Sequence, residues 1–120
     1  MSLEFYDQVG APVAYADDLE HIYAFSGEPV AYIQNDSIYD YGGRHLGWFF
    51  GGWVLDHNGN HVYFTDQAIG GPLKPLRMLR PLKGLKSLKP LKGIKAIKPI
   101  RPIRSLSWSN LMGLNFFEHG

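Results

Sequence analysis

The sequence predicts an all-β fold made of four consecutive β-hairpins, followed by an extended segment with a different repeat. Two observations support the hairpins: four segments within the first 66 residues align without gaps, and each has a glycine at the same place. A third observation concerns the rest of the chain, where Leu or Ile occupies every third position from Leu73 to Leu106. Similarity at a fixed spacing is typical of repeat architectures.

Each hairpin repeat consists of two short β-prone runs on either side of a turn. The repeats are residues 5–15, 22–32, 38–48 and 54–64, and their shared glycines are Gly10, Gly27, Gly43 and Gly59. Glycine accepts a positive φ angle without a steric clash, which suits a tight turn between antiparallel strands. One hairpin is marginal alone in water. We therefore expect the four to close around a common axis, as in a barrel or a propeller, which also removes exposed strand edges.

Strand alternation predicts which side chains share a face after each turn. One face should carry four aliphatic residues together with four aromatic ones, namely Val13, Val30, Leu46 and Val62 with Tyr15, Tyr32, Trp48 and Phe64. The residues between them are Ala14, Ala31, Gly47 and Tyr63. Three of these four are small, so we expect the second face to approach neighbouring backbone closely.

The hairpin repeats resemble those of a known family. The stretches HIYAFSGEPVAYI (21–33) and GRHLGWFFGGWVLDHNGN (43–60) are similar to the repeats of the bacterial four-fold beta flower family, and the resemblance covers about residues 2–66. It implies an all-β domain with pseudo-four-fold repeats. It implies no activity and assigns no functional residues.

The triplet segment, residues 73–108, follows a period of three. Every triplet begins with Leu or Ile, and in all but the last the next residue is Lys or Arg. Five prolines in the third slot would break an α-helix, and a flat strand would place the apolar residues on alternate faces. A polyproline-II-like chain has three residues per turn, so each slot forms one row. Pro81, Pro90 and Pro99 divide the segment into four nonamers.

Three arrangements of the triplet segment remain open at this point. It could form a tight triangular solenoid, a straight rod bundled with copies from other subunits, or a wrap around the hairpin domain with one nonamer per hairpin. We expect all three to bury the apolar row, because large exposed apolar patches are rare on soluble monomers.

These patterns divide the chain into four parts: a four-hairpin flower domain (1–66), a linker (67–72), the triplet segment (73–108) and an apolar docking tail (109–120). We expect the tail to dock on another subunit of a homo-oligomer. Charge is also divided, since residues 1–72 carry a net charge of −9 and residues 73–120 a net charge of +10. Opposite blocks of this size should attract each other within the chain or between subunits.

Composition limits the classes of protein that fit. Cysteine is absent, so disulfides and thiolate sites are excluded. The N-terminus MSLEFYDQVG has neither a basic region nor an apolar run, and no stretch approaches the ~18 consecutive apolar residues of a membrane span. We expect a cytoplasmic protein with no transmembrane segment, and signal-independent export is an open alternative.

The cations of the triplet segment are the candidate partner-binding residues. They are Lys74, Arg77, Arg80, Lys83, Lys86, Lys89, Lys92, Lys95, Lys98, Arg101 and Arg104. The first hypothesis is a structural or interaction protein whose segment mediates self-assembly or packs on the acidic domain. The alternative is a module that binds an anionic polymer or membrane, such as nucleic acid or anionic lipid. Against nucleic acid, no aromatic residue for base stacking lies between Phe64 and Trp108.

Other candidate sites are weaker. His57 and His61 could approach across a turn, but a metal site needs three or four converging ligands, so we predict no metal and no cofactor. The aromatic cluster Trp48, Phe49, Phe50 and Trp53 could form a core or an interface. The sequence has no nucleophile elbow, phosphate loop or HExxH motif, so no catalytic residues are assigned and an enzyme is the third hypothesis.

Overall fold

The structure, a computed structural model, describes residues 2–119 and confirms the all-β prediction. Eight antiparallel strands form one closed barrel, in which every strand pairs with its neighbours in the sequence. The strands are β1 (Leu3–Tyr6), β2 (Pro12–Ala16), β3 (His21–Ala24), β4 (Pro29–Gln34), β5 (Ser37–Tyr39), β6 (His45–Phe50), β7 (Trp53–Leu55) and β8 (His61–Phe64). Among residues 2–119, β8 pairs with β1 through Phe64 and Tyr6 alone, so this junction has the shortest ladder.

The four hairpin turns are built alike, as the repeat predicts. Their glycines have φ angles from +79° to +100°. In three turns an aspartate Oδ1 accepts the backbone N–H of the residue four positions later, at 2.9–3.1 Å, and these aspartates are Asp7, Asp40 and Asp56. Aspartate beside a turn commonly bonds backbone amides in this way. The repeated carboxylates therefore stabilise turns, and Ala24 takes their place in the second hairpin.

A β-bulge recurs at the same place in every hairpin and changes which side chains share a face. In the first hairpin Phe5 pairs with Ala14 but Tyr6 pairs with Pro12, which leaves Val13 as the extra residue. The other hairpins shift register in the same way. An extra residue reverses the alternation that follows it. The prediction that Val13 shares a face with Tyr15 is therefore wrong, because Val13 lies in the barrel interior and Tyr15 lies in a separate cluster.

The barrel interior is narrow and filled by side chains, as is usual for eight strands. It is lined by Phe5, Ala14, Ile22, Ala31, Ile38, Val54 and Tyr63, all of which are buried. At Gly47 an added Cβ would lie 2.1 Å from the Leu55 carbonyl oxygen and 3.0 Å from Cζ of Phe116. The expected close approach of backbone on this face is thus confirmed at Gly47.

The tail docks on its own barrel, and a short helix, α1 (Asn115–Glu118), completes it. Phe116 and Phe117 are buried in the same cluster as the barrel interior. The Tyr63 hydroxyl donates a hydrogen bond to the Gly113 carbonyl, and His119 Nε2 lies 3.0 Å from the Leu46 carbonyl oxygen. The expectation that the tail docks on another subunit is therefore corrected.

Candidate interaction surface

The triplet segment passes all four hairpin turns in order, although residues 73–105 form neither helix nor strand. One backbone N–H in each nonamer donates to the carbonyl of a turn glycine at 2.8–3.0 Å: Met78 to Gly10, Ser87 to Gly27, Ala96 to Gly43 and Ser105 to Gly59. Donors nine residues apart therefore contact acceptors in consecutive hairpins. These contacts correspond to a wrap around the barrel with one nonamer per hairpin.

Close contact with the triplet segment also requires glycine at the four turns, and this constraint is not apparent from the sequence. A Cβ added to any of them would lie 1.9–2.6 Å from a carbonyl oxygen of the triplet segment, and these oxygens belong to Leu76, Leu85, Ile94 and Ile103. Such distances are shorter than any van der Waals contact. The turns thus need glycine both for the positive φ angle and to admit the segment.

The outer wall of the barrel offers aromatic faces to the segment. Rings from adjacent hairpins stack with centroids 5.6 Å apart for Tyr6 and Phe64, 5.9 Å for Tyr15 and Tyr23, and 5.8 Å for Tyr32 and Tyr39. Cations of the segment lie over these rings and over Phe50. For the lysines, the distance from Nζ to the ring centroid is 4.2 Å for Lys83 and Tyr15, 4.8 Å for Lys86 and Tyr23, and 4.4 Å for Lys92 and Tyr32. For the arginines, the distance from Cζ to the ring centroid is 5.5 Å for Arg77 and Tyr6 and 3.8 Å for Arg101 and Phe50. Each contact is a favourable cation–π geometry.

Acidic residues of the barrel bind three of these cations and also Arg80. Asp17 accepts from Lys83 at 3.1 Å and from Lys86 at 3.0 Å, and the hydrogen bond from Lys86 lowers the pKa of Asp17. Arg80 pairs with Glu4 at 3.1 Å, and Lys92 with Glu20 at 3.4 Å. Exposed pairs of this kind contribute little each, so the rings and the backbone bonds must provide most of the attachment.

Two further cations form hydrogen bonds with residues of β8 or of the linker that follows it. Lys74 Nζ donates to the Ala68 carbonyl at 2.9 Å. Arg104 donates through Nε to His61 Nε2 at 3.1 Å and through its guanidinium to the Ile69 carbonyl. Eight of the eleven cations thus contact the chain itself. Within the described residues, Lys89, Lys95 and Lys98 make no salt bridge, side-chain hydrogen bond or cation–π contact.

The aliphatic row, defined as the Leu and Ile residues that open the twelve triplets, points away from the barrel. Leu73 and the ten that follow it are 93–97% exposed, and Leu106 is 79% exposed. The prediction that this row is buried is wrong. Basic residues cover the aromatic wall and third-slot amides bond the turns. The aliphatic side chains are the remaining row, and they are left on the outside.

The predicted aromatic cluster is mostly internal. Trp48 and Trp53 are buried. The Phe49 ring meets Phe5 edge-on at a centroid distance of 6.1 Å, and Phe50 lies beneath Arg101. Trp48 and Trp53 therefore belong to the interior, whereas Phe49 and Phe50 are half-buried.

The two candidate metal ligands have different neighbours. His57 Nε2 lies 3.0 Å from His45 Nδ1, and the His57 ring centroid is 5.6 Å from that of His119. His61 instead packs against Trp53 at 4.4 Å and accepts from Arg104. Across residues 2–119 no three His, Asp or Glu side chains are grouped so that they could hold a metal ion.

A groove between the fourth hairpin and the tail brings His57, His119 and Asp56 together. Asp56 Oδ1 accepts the backbone N–H groups of Asn58 and Asn60, both at 2.9 Å. Asp56 Oδ1 is therefore occupied by the turn, and among residues 2–119 no hydroxyl group in this groove is hydrogen-bonded to a base.

Acid should destabilise the fold through His45. Burial, with His57 and Lys98 nearby, lowers the pKa of His45 from 6.5 to about 4. As the pH falls the unfolded chain takes up this proton first, so the contribution of neutral His45 is complete above pH 6.5 and is lost on approach to pH 4. We expect a loss of about 2–3 kcal/mol in the free energy of unfolding between roughly pH 7.5 and pH 4.5, measured in urea.

His45→Gln provides the control for that measurement. Over the same pH range, the free energy of unfolding of this variant should fall by less than that of the unsubstituted chain, because glutamine does not titrate. The difference should be close to the loss that is assigned to His45. A pH dependence equal to that of the unsubstituted chain would show that other groups, such as His57, whose pKa burial also lowers, are responsible.

Comparison with known proteins identifies the fold family. The family model described as 4-fold beta flower protein matches residues 3–117. The chain belongs to the four-fold beta flower family. The match runs well past residue 66, so the triplet segment and most of the tail lie within the beta flower pattern. The resemblance noted in the hairpins covered only part of it.

Two further comparisons found no relatives. No curated protein matches this beta flower chain, and no solved structure matches it. In residues 2–119 there is also no helix with the length and apolar character needed to cross a bilayer.

Proposed function

We propose that this beta flower protein is a structural or interaction protein. Its triplet segment, an extended polyproline-II-like nonapeptide repeat, packs on its own acidic barrel and presents the aliphatic row to a partner. One observation carries the proposal: eight of the eleven cations contact the chain itself, while all twelve aliphatic side chains are exposed. The segment thus uses its charges for attachment and its apolar side chains remain available for binding.

The energy of covering the aliphatic row is large enough to support an interface. Fully burying one Leu or Ile side chain is worth about 1.5–3 kcal/mol. The three residues of one nonamer then contribute about 5–9 kcal/mol, which is comparable with the ~4–15 kcal/mol lost when two proteins associate. Two nonamers exceed most of that range. A partner that covers half of the row should therefore bind stably.

The alternative, binding of an anionic polymer, is favoured only by Lys89, Lys95 and Lys98. Salt dependence separates the two functions, because the logarithm of a DNA-binding constant falls with the logarithm of salt concentration by about 0.9 per neutralised phosphate. Three available cations predict a slope no steeper than about −3, whereas eleven would give about −10. We expect weak duplex DNA binding with the shallow slope, measured by fluorescence anisotropy.

Two matched triple variants complete this test. Replacing Lys89, Lys95 and Lys98 by Gln should abolish the residual DNA binding. Replacing Lys83, Lys86 and Lys92 by Gln should leave that binding unchanged while lowering stability, since these lysines contact the barrel. A slope near −10 for the unsubstituted chain would mean that the segment leaves the barrel to bind polyanions, and the proposal would fail.

A further inference from the structure

We infer that the aliphatic row binds the aliphatic row of a second copy of this chain, so that the protein assembles edge to edge. This inference rests on the proposed function and names the partner of the same surface. Soluble monomers rarely expose an apolar patch larger than a few hundred Å². A row of twelve side chains, eleven of them at least 93% exposed, requires an occupant.

The backbone of the triplet segment favours a protein partner over lipid. Among residues 2–119, the amides of this segment that donate to backbone carbonyls all belong to third-slot residues: Met78, Gly84, Ser87, Gly93, Ala96 and Ser105. The amides of the aliphatic and basic residues have no such acceptor. Unsatisfied backbone groups are costly in hydrocarbon, whereas an interface between proteins keeps them in contact with water or with acceptors on the partner.

The spacing of the row is complementary to itself. At the ~3.1 Å rise of polyproline II, successive aliphatic side chains stand about 9 Å apart. All of the intervening basic side chains except Lys89, Lys95 and Lys98 contact the barrel or the linker that follows it, so a gap lies between most pairs of neighbours. Side chains of a second row with the same spacing can enter these gaps.

Charge and shape indicate how copies would be arranged. The net charge of +1 causes little repulsion between copies. The molecule measures 36 × 35 × 24 Å, and the segment contacts hairpins on all sides of the barrel. Each nonamer carries three aliphatic residues, so the chain offers four similar edges. Edges of this kind allow several neighbours, and we therefore infer an open assembly whose size depends on concentration.

Light scattering on the full chain tests this inference. We expect the average mass to rise with protein concentration and the assembly to persist in high salt, because the contact is apolar. The variant Leu85→Gln, Leu88→Gln, Ile94→Gln, Ile97→Gln removes apolar contact from two nonamers at exposed positions. It should keep its circular dichroism spectrum and melting temperature while requiring at least tenfold more protein to reach the same mass. The control Lys89→Gln, Lys95→Gln should assemble like the unsubstituted chain.

The other outcomes separate this inference from the proposed function. A monomer at all concentrations whose exposed row still binds the apolar dye bis-ANS, with binding reduced in the four-residue variant, would overturn self-association and leave the proposed function standing. A monomer that floats with neutral phosphatidylcholine vesicles would identify lipid as the occupant and would also overturn the inference. A monomer that binds neither dye nor vesicles would overturn both.

Discussion

Replacing Phe116 with alanine should lower the free energy of unfolding by about 3–5 kcal/mol. The Phe116 ring is fully buried and meets Tyr63 edge-on at a centroid distance of 5.7 Å. It fills the space above Gly47, where the barrel has no side chain of its own. The interior is enclosed by strands, so it cannot collapse into the space that the ring leaves. The substitution should therefore carry the full free-energy cost of the cavity. Urea unfolding followed by tryptophan fluorescence measures the change.

Leu114→Ala in the same tail is the matched control, since Leu114 is 39% exposed. It should cost less than about 1 kcal/mol, because little buried area is lost. Equal effects of the two substitutions would mean that the tail is not part of the core, and that the barrel interior is filled in some other way.

Replacing Gly43 with alanine should lower the free energy of unfolding by about 3 kcal/mol or more, for two reasons that act together. A φ angle of +99° is costly for an L-residue with a side chain, by roughly 1–2 kcal/mol. The new Cβ would also stand 2.0 Å from the Ile94 carbonyl oxygen, so the triplet segment must move away from the turn. We expect a lower urea midpoint together with faster trypsin cleavage after Lys95, because the segment is no longer held at this turn.

Two other glycines separate these causes. Gly42, the preceding residue, has no positive φ angle, and an added Cβ would meet only the Asp40 side chain at 3.4 Å, so Gly42→Ala should be close to neutral. Gly113 has a φ angle of +55° and no atom within 4 Å of an added Cβ, so Gly113→Ala should show the backbone strain alone. If Gly43→Ala were no worse than Gly113→Ala, close contact with the segment would not be limiting.

The hairpin part of the fold could be predicted because its signals are local. Each turn glycine indicates a positive φ angle, and each β-prone run beside it indicates a strand. The bulge at Val13 could not be predicted. In a bulge, two residues of one strand lie opposite one residue of its partner, and this property of the pairing cannot be recognised in the sequence of a single strand. This one insertion decides that Tyr15 lies on the outer wall, where Lys83 covers it.

The triplet segment shows a different limit of sequence reasoning. Its period defines three rows, but it does not say which row faces the protein. Burial of apolar side chains suggested the aliphatic row. The structure instead turns eight of the eleven cations inward, because stacked tyrosines such as Tyr15 and Tyr23 and acids such as Asp17 form the wall they contact. The rotation is then fixed by third-slot amides such as that of Ser87, which bond the turns.

The path of the segment also has a consequence for the order in which the protein is completed. The bonds from the segment to the turns span 68 residues at Gly10 and 46 residues at Gly59. Contacts between residues so distant in sequence slow folding, because a long loop must close before they form. During synthesis all four hairpins leave the ribosome before the residues that cover their outer wall and seal their interior. The barrel is therefore completed by residues that are made after all four hairpins.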